Sequence, residues 1–202
     1  MGRAALFSDE QILATATRHV ARDGPRASVS GLARSLGAPS GSIYYRFASR
    51  DTLVAEVWLR AVREFQHGFL AALDHADVDT AALAAATHVP RWCAASLDQA
   101  IVLHRHRLED LIDAWPEPLA PDRAALNKDL HAALRRHARS RYGSASGLAL
   151  ARTTLALVAV PGGAVRPFLD RHQPPPEWAI DAIGAASLAV LRAEQEGPRR
   201  GG

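Results

Sequence analysis

Apolar side chains recur along most of the chain at intervals of three and four residues, the spacing that gives an α-helix one buried face. The series starts at Ile12 and is interrupted by glycine, proline or polar residues that favour turns. No stretch alternates apolar and polar residues over the length of a β-strand, and no internal repeat is visible. The sequence therefore predicts an all-α protein with about nine helices.

Three short helices are predicted before residue 50. The first is capped at Ser8 and is stopped at Gly24. The second begins at Ser28, whose hydroxyl can accept a hydrogen bond from a free backbone N–H, and it ends before Gly37. After a turn of about four residues the third helix covers Ser40–Arg46 and begins with small polar side chains. This is the layout of a helix-turn-helix, whose second helix enters the major groove of DNA.

A long fourth helix is predicted from residue 50 to about residue 75. Its apolar stripe runs along about 26 residues, or roughly 39 Å at 1.5 Å per residue. A helix of that length can join a DNA-reading head rigidly to a second body. The stripe consists of Val54, Trp58, Ala61, Phe65 and Phe69.

Five further helical segments follow, bounded by prolines, glycines or polar turns. Pro90 is expected to bend or divide the first of them, and Pro161 with the two glycines after it is expected to end the fourth. The last two segments are apolar around most of their circumference, so each needs cover on more than one side. The segments are residues 80–97, 99–112, 122–142, 145–160 and 177–194.

These elements divide the chain into two domains. Residues 1–50 are expected to form a helix-turn-helix head, residues 51–196 a larger helical domain for ligand binding and dimerisation, and residues 197–202 a disordered tail. Residues 1–53 carry seven arginines against four acidic residues, and the other 17 basic and 17 acidic residues cancel. The whole excess of +3 therefore lies on the first 53 residues, which contain the helix-turn-helix segment, as a phosphate-binding surface requires.

Little in the sequence suggests catalysis, a metal or a cofactor. The single cysteine, Cys93, excludes an internal disulfide and a multi-thiolate metal site, and its apolar neighbours predict burial, with redox sensing as the alternative. His104 and His106 are two residues apart, whereas two ligands on one helix face are three or four apart. No phosphate-binding loop or nucleophile elbow is present. We expect no enzymatic activity, no metal and no cofactor.

The sequence also bears on the compartment. The N-terminus lacks the apolar core of a signal peptide, and Arg152 and Asp181 interrupt the two most apolar regions. We therefore expect a soluble cytoplasmic protein without a membrane partner. One lysine among 24 basic residues, with abundant alanine, indicates a GC-rich bacterial genome.

The helix-turn-helix segment resembles, residue by residue, the DNA-binding signature of the TetR (tetracycline-repressor) family of transcriptional regulators. The resemblance covers about the first quarter of the chain and includes Ile12, Ala16 and Gly24 upstream. It departs at two positions, since the family usually has Lys in place of Arg50 and His or Tyr in place of Arg46. The matching segments are Ser28-Val29 through Gly37, Ser40-Gly41-Ser42-Ile43-Tyr44-Tyr45-Arg46-Phe47 and Ser49-Arg50-Asp51-Thr52-Leu53.

The resemblance implies a homodimeric regulator, a repressor that inserts the Ser40–Arg46 helix into the major grooves of a palindromic operator. It implies phosphate contacts for Tyr44 and Arg50. Its expected base-edge contacts come from Ser30, Ser40, Ser42, Tyr45 and Arg46, and Ser28 and Gly41 complete the expected DNA-binding set. A small, largely apolar effector in the second domain would change the dimer geometry and so the affinity for DNA.

Pocket and interface candidates lie in the second domain. A small-molecule pocket is mostly apolar with a few convergent polar groups. Its candidates are Trp58, Phe65, Phe69, His88, Trp92, His104, Arg107 and Trp115. In the TetR family the last two helices pair with those of a second chain, and the corresponding candidates here are Leu148, Leu155, Val158, Trp178, Ile183, Ala186, Leu188 and Leu191.

Two alternatives stay open at this point. The chain can be a helical small-molecule-binding module, or a helical enzyme, whose head is a degenerate helix-turn-helix; such a protein would not bind DNA even at low salt. It can also be a regulator that has lost its ligand response and acts as a constitutive repressor or an activator. A ligand screen by thermal shift separates this last case, because a bound ligand raises apparent stability.

Overall fold

The structure, a computed structural model, describes residues 7–106 and 115–193. Within these ranges the chain is helical and contains no β-strand, which confirms the all-α prediction. In chain order the helices are α1 (Asp9–Asp23), α2 (Val29–Leu36), α3 (Ser40–Arg46), α4 (Arg50–Leu73), α5 (Val78–Ala95), α6 (Leu97–Arg105), α7 (Ala120–Ala125), α8 (Lys128–Tyr142), α9 (Gly147–Asp170) and α10 (Glu177–Arg192).

The helices of the head begin and end where local capping residues lie. The Ser8 side chain accepts a hydrogen bond from the Gln11 N–H, and the Gln11 side chain accepts one from the Ser8 N–H. Ser28 caps α2 and Ser49 caps α4 through their side-chain oxygens. Gly37 closes α2 in the left-handed conformation, with φ at 63°, which a side chain would strain.

Helices α1, α2 and α3 pack around one small apolar core, so α1 braces the helix-turn-helix pair as the sequence predicts. Val20, Leu32, Ile43 and Phe47 are almost completely buried there. Helix α1 also packs on α4 and α6, and this second contact seats the head directly on the larger helical body.

Helix α5 is the centre of that body, because α4, α9 and α10 all pack against it. Four buried alanines on α5, at positions 81, 82, 85 and 86, allow its neighbours to approach closely. Gly184 of α10 lies at the tightest crossing, where a Cβ atom would be 2.8 Å from the Leu83 and Thr87 side chains. Pro90 lies within α5 and does not divide it.

The helix end predicted at Pro161 is wrong, because α9 continues through it to Asp170. Residues Leu155–Ala159 widen into a π-helical turn, and the Val160 N–H bonds to the Leu155 carbonyl five residues back. This wider turn places Pro161 at the second residue of the α-helical stretch that follows, a position that tolerates proline better than a helix interior.

Two other boundaries differ from the prediction. The segment expected as one helix over 122–142 consists of α7 and α8, separated at residues 126 and 127. Helix α6 begins at Leu97, two residues before the predicted start. Its predicted continuation beyond residue 106, the candidate Arg107 and the predicted tail 197–202 lie outside the described residues.

Helix α9 is long and apolar enough to cross a membrane on length and composition alone. The core helix of a soluble protein passes the same test, and one such helix is weak support for a membrane span. In this fold α9 packs against α5, α8 and α10.

Candidate nucleic-acid interface

Helix α3 exposes polar and aromatic side chains and buries its apolar ones. Ser40, Ser42 and Tyr44 are exposed, with Gly41 between the serines, and Tyr45 is 95% exposed. On the opposite side Ile43 is buried in the head core. A tyrosine with so little contact in its own chain has a large amphipathic surface free for another molecule.

The serines of the predicted set differ in what holds them. The Ser28 hydroxyl oxygen accepts a hydrogen bond from the Gly31 N–H at 3.1 Å and lies 3.3 Å from the Ser30 hydroxyl. Ser42 donates its hydroxyl to the Pro39 carbonyl at 2.7 Å. Ser28 and Ser42 therefore fix the start of α2 and of α3, whereas Ser40 is exposed at the first position of α3.

Arg46 is held by Glu56 of α4, a residue that the sequence did not single out. The distance from Arg46 Nη2 to Glu56 Oε2 is 3.0 Å, and the guanidinium lies over the Phe47 ring at 5.4 Å. Burial raises the pKa of the Glu56 carboxyl, and the Arg46 charge acts in the opposite direction. The pair neutralises Arg46 in the unbound protein, so Arg46 would have to leave Glu56 before it could contact a base.

Arg50 is the first residue of α4 and is held less tightly. Its Nη1 lies 3.4 Å from the Asp51 carboxylate, longer than the usual charge-assisted hydrogen bond of about 2.7–2.9 Å. The other charges of the head surface include the exposed Arg18, Arg26 and Arg34. The basic excess predicted from the sequence therefore lies on the same small domain as α3.

His19 positions α2, although no sequence pattern marked it. It is buried on α1, with Nε2 3.2 Å from the Ser28 backbone nitrogen and Nδ1 3.0 Å from the Asp23 carboxylate. A Cβ atom on Gly31 would lie 2.8 Å from its ring, so α1 and α2 cross closely here. Asp23, four residues after His19, is its neighbour on one helix face, but Ser28 lies nine residues away, and no spacing within a helix points to that contact.

A cavity of about 360 Å³ opens among α4, α5, α6 and α9. Three of the predicted pocket residues, Phe65, Trp92 and His104, line it. Helix α9 contributes residues that the sequence missed, because they follow the helix end wrongly predicted at Pro161. These are Gly162, Gly163, Val165, Arg166 and Leu169.

The other described pocket candidates pack away from this cavity. Trp58 and Trp115 meet edge to face with ring centroids 5.9 Å apart, and Phe69 is buried beneath Phe65. His88 donates from Nε2 to the Phe65 carbonyl at 3.0 Å, and burial lowers its pKa, so the imidazole is neutral and ties α5 to α4.

Cys93 also lines the cavity and is buried, as predicted. Burial raises the pKa of its thiol to about 12, which leaves almost no thiolate at neutral pH. Oxidation and alkylation both require the thiolate, so this environment disfavours the redox-sensing alternative.

A larger cleft of about 640 Å³ lies at the end of α4 furthest from the head. Its wall, formed by α4, the start of α5 and α8, is rich in polar groups such as His67, Asp74, Asp129 and Arg136. Across the described residues, no group of three or more histidine, cysteine or acidic side chains is placed to hold a metal ion.

An apolar surface covers the outer side of α9 and α10. Leu148, Leu155 and Val158 are exposed on α9, and Trp178 of α10 is 69% exposed. Ala186 is exposed on the same helix as Trp178, and Leu188 is half-buried.

Two of the predicted interface residues are not on this surface. Ile183 and Leu191 are 5% and 2% exposed and pack into the core of their own chain. Because α10 is apolar around most of its circumference, the sequence could not distinguish its inner face from its outer one.

A compact three-helix head with an exposed recognition helix and a local basic excess defines the class of the protein as a helix-turn-helix, DNA-binding transcriptional regulator. The sequence comparison agrees, because residues 12–57 match the family model described as bacterial regulatory proteins, tetR family. This segment of the chain is therefore a TetR-family DNA-binding domain. A search of curated proteins gives no match.

Solved structures share the whole fold at low sequence identity. The TetR-family transcriptional regulator PfmR from Thermus thermophilus superposes with a TM-score of 0.69 and 18% identity, over 96% of this chain and 100% of its own. The fatty acid degradation regulator FadR from Bacillus halodurans gives a TM-score of 0.68 and 15% identity, over 93% and 100%. The second domain thus has the fold found in these regulators.

Proposed function

We propose that the protein is a cytoplasmic, homodimeric repressor that binds a palindromic operator through α3 and releases it when a small molecule binds in the cavity. The exposure of Tyr45 on α3 is the observation that carries the DNA-binding part. An aromatic side chain left outside the core, beside Ser40 and Tyr44, suits contact with base edges and phosphates. Arg50, with its weak internal ion pair, is the proposed phosphate contact.

Dimerisation is supported by the apolar surface of α9 and α10. The side chains of Leu148, Leu155 and Trp178 would be covered if two copies paired there. A twofold pair of heads explains how a seven-residue recognition helix can achieve specificity, because two half-sites are read together.

The ligand response is supported by the position of the cavity. Its lining includes His104 of α6, and α6 packs on α1 of the head. The next residue, Arg105, donates from Nη1 to the Ala21 carbonyl of α1 at 3.1 Å. A ligand that displaces α6 would therefore act directly on the head, in proportion to its differential affinity for the two geometries.

Selection of bound duplexes from a random DNA library tests the proposal. We expect one enriched palindrome with half-sites about one helical turn apart, that is about 10 base pairs or a multiple. The Tyr45→Ala protein serves as the matched control and should lose the enrichment while still binding DNA weakly at low salt. Absence of any enrichment by the folded wild-type protein would contradict the proposal.

A further inference from the structure

The cavity among α4, α5, α6 and α9 has a wall that is apolar over most of its surface. Phe65, Val89, Leu103, Val165 and Leu169 line it, and its lining contains no acidic residue among the described part of the chain. Such a wall favours a hydrocarbon or aromatic ligand body, since burial of apolar surface drives the binding.

Trp92 lines this wall with its ring. The side chain is 9% exposed, and its indole N–H is buried with no acceptor among the described residues. A buried donor without a partner is costly and is rare in native proteins. Because its N–H is buried within the protein, Trp92 offers a ligand in the cavity an aromatic ring rather than a hydrogen-bond donor.

Arg166, an exposed residue of α9, brings a positive charge to the cavity lining. No carboxylate in the described parts of the chain lies within ion-pair distance of it, and it lines the cavity from α9. His104 differs, because its Nε2 lies 2.6 Å from the Asp170 carboxylate. Arg166 is therefore the charged group at this cavity that lacks a counterion within the described chain.

Two adjacent glycines of α9 leave space beside these groups. Gly162 and Gly163 line the cavity, and a Cβ atom on either would meet no atom within 4 Å. The open space beside both positions is available to a ligand. A larger residue at Gly162 can fill this space without a clash against the protein.

We infer that the cavity binds a small organic anion, with a carboxylate or a similar acidic group beside Arg166 and with an apolar body against the remaining wall, including the Trp92 ring. The inference rests on the proposed ligand response and names the chemical class of the effector. An anion supplies a counterion for Arg166, and its apolar body covers the apolar wall.

Three probes with one apolar body test this inference, namely octanoate, octan-1-ol and octylamine. Thermal shift and titration calorimetry should show octanoate binding about tenfold more tightly than octanol, and octylamine binding most weakly. The Arg166→Gln protein should lose the preference for octanoate over octanol while still binding octanol. Arg171→Gln, which removes an exposed arginine just beyond α9 that does not line the cavity, should keep the preference.

Two further variants locate the site. Gly162→Leu should weaken all three probes by occupying the cavity, and Trp92→Ala should weaken all three by removing part of the apolar wall. Equal affinity for octanoate and octanol, or a preference that survives Arg166→Gln, would overturn the assignment of an anion. If no probe bound, the ligand class would be wrong, and operator binding measured on the same sample would show whether the proposed repressor function still held.

Discussion

Tyr45 makes almost no contact with its own chain, so its replacement separates DNA binding from folding. We predict that Tyr45→Ala leaves the melting temperature unchanged and lowers operator affinity about tenfold or more, the usual cost of losing a base-edge contact. Fluorescence anisotropy measures the affinity of the variant for operator and for non-operator duplexes. Arg50→Ala is the comparison, because a phosphate contact should weaken both duplexes equally. Unchanged operator affinity in Tyr45→Ala would rule out the contact.

The pair between Arg46 and Glu56 leads to a second prediction at this scale. Glu56→Gln removes the counterion of Arg46, and we expect tighter binding to DNA of any sequence. The slope of the logarithm of the binding constant against the logarithm of the salt concentration should become steeper by about 0.9, the value for one added phosphate contact. The double variant, Glu56→Gln with Arg46→Gln, should not show this tighter binding to DNA. Weaker binding by Glu56→Gln would instead mean that Glu56 holds Arg46 in its working position.

Residues whose partners lie within four positions were predictable from the sequence. Ser8, Ser28 and Gly37 cap their helices as expected, because capping depends on adjacent backbone groups. Glu56 and Arg166 were missed for the opposite reason. Their roles depend on a neighbouring helix or a cavity, and no spacing along one chain encodes these contacts.

At the scale of elements, helices were predicted better than their ends. Apolar residues recur at helical spacing along α9, but a proline followed by two glycines, as at Pro161, usually ends a helix. The π-turn at Leu155–Ala159 accommodates the proline and lets the helix run on. This continuation carries Arg166 to the cavity, so the error in a helix end hid the α9 wall of the candidate ligand site.

Asp79 connects the ends of three helices and gives a pH prediction. Arg141 of α8 and Arg192 of α10 both donate to its carboxylate near the start of α5, and they lower its pKa from 3.8 to about 2. Because the folded carboxyl loses its proton more readily than the unfolded one, the stabilisation is complete above about pH 4 and is lost as the pH falls towards 2.

We therefore expect Asp79→Asn to lower the melting temperature by a few degrees at pH 7, since Arg141 is largely buried and would lose a partner. The difference from the wild-type protein should shrink between about pH 4 and pH 2. Circular dichroism melts across this range measure it. Asp74→Asn is the control, because Asp74 makes no ion pair with the described residues. A difference that stays constant with pH would contradict the charge assignment.

At the scale of the whole molecule, Arg105 is one of the residues that connect the head to the larger helical body. Arg105 donates to the Ala21 carbonyl of α1 and, at 2.6 Å, to His172 just beyond α9. We predict that Arg105→Gln speeds hydrogen exchange in α1 and α2 and leaves α5 protected. Arg91→Gln, which removes only a local contact within α5, should leave exchange in the head unchanged. If amide hydrogens of α1 and α2 exchanged at the same rate in the Arg105→Gln and Arg91→Gln proteins, Arg105 would not be a residue that couples the head to the body.

The packing of two copies decides whether the heads can read DNA together. Ala186 is exposed on α10 beside the apolar surface of α9, so a charge there would be buried if two chains pair on this face. We expect Ala186→Asp to scatter light as a 21.7 kDa monomer and the wild-type protein to scatter light as a dimer of twice that mass. It should also lose most operator affinity, because each half-site is then bound alone. Ala132→Asp, on the exposed side of α8, should remain dimeric; a dimeric Ala186→Asp protein would show that the chains pair through another surface.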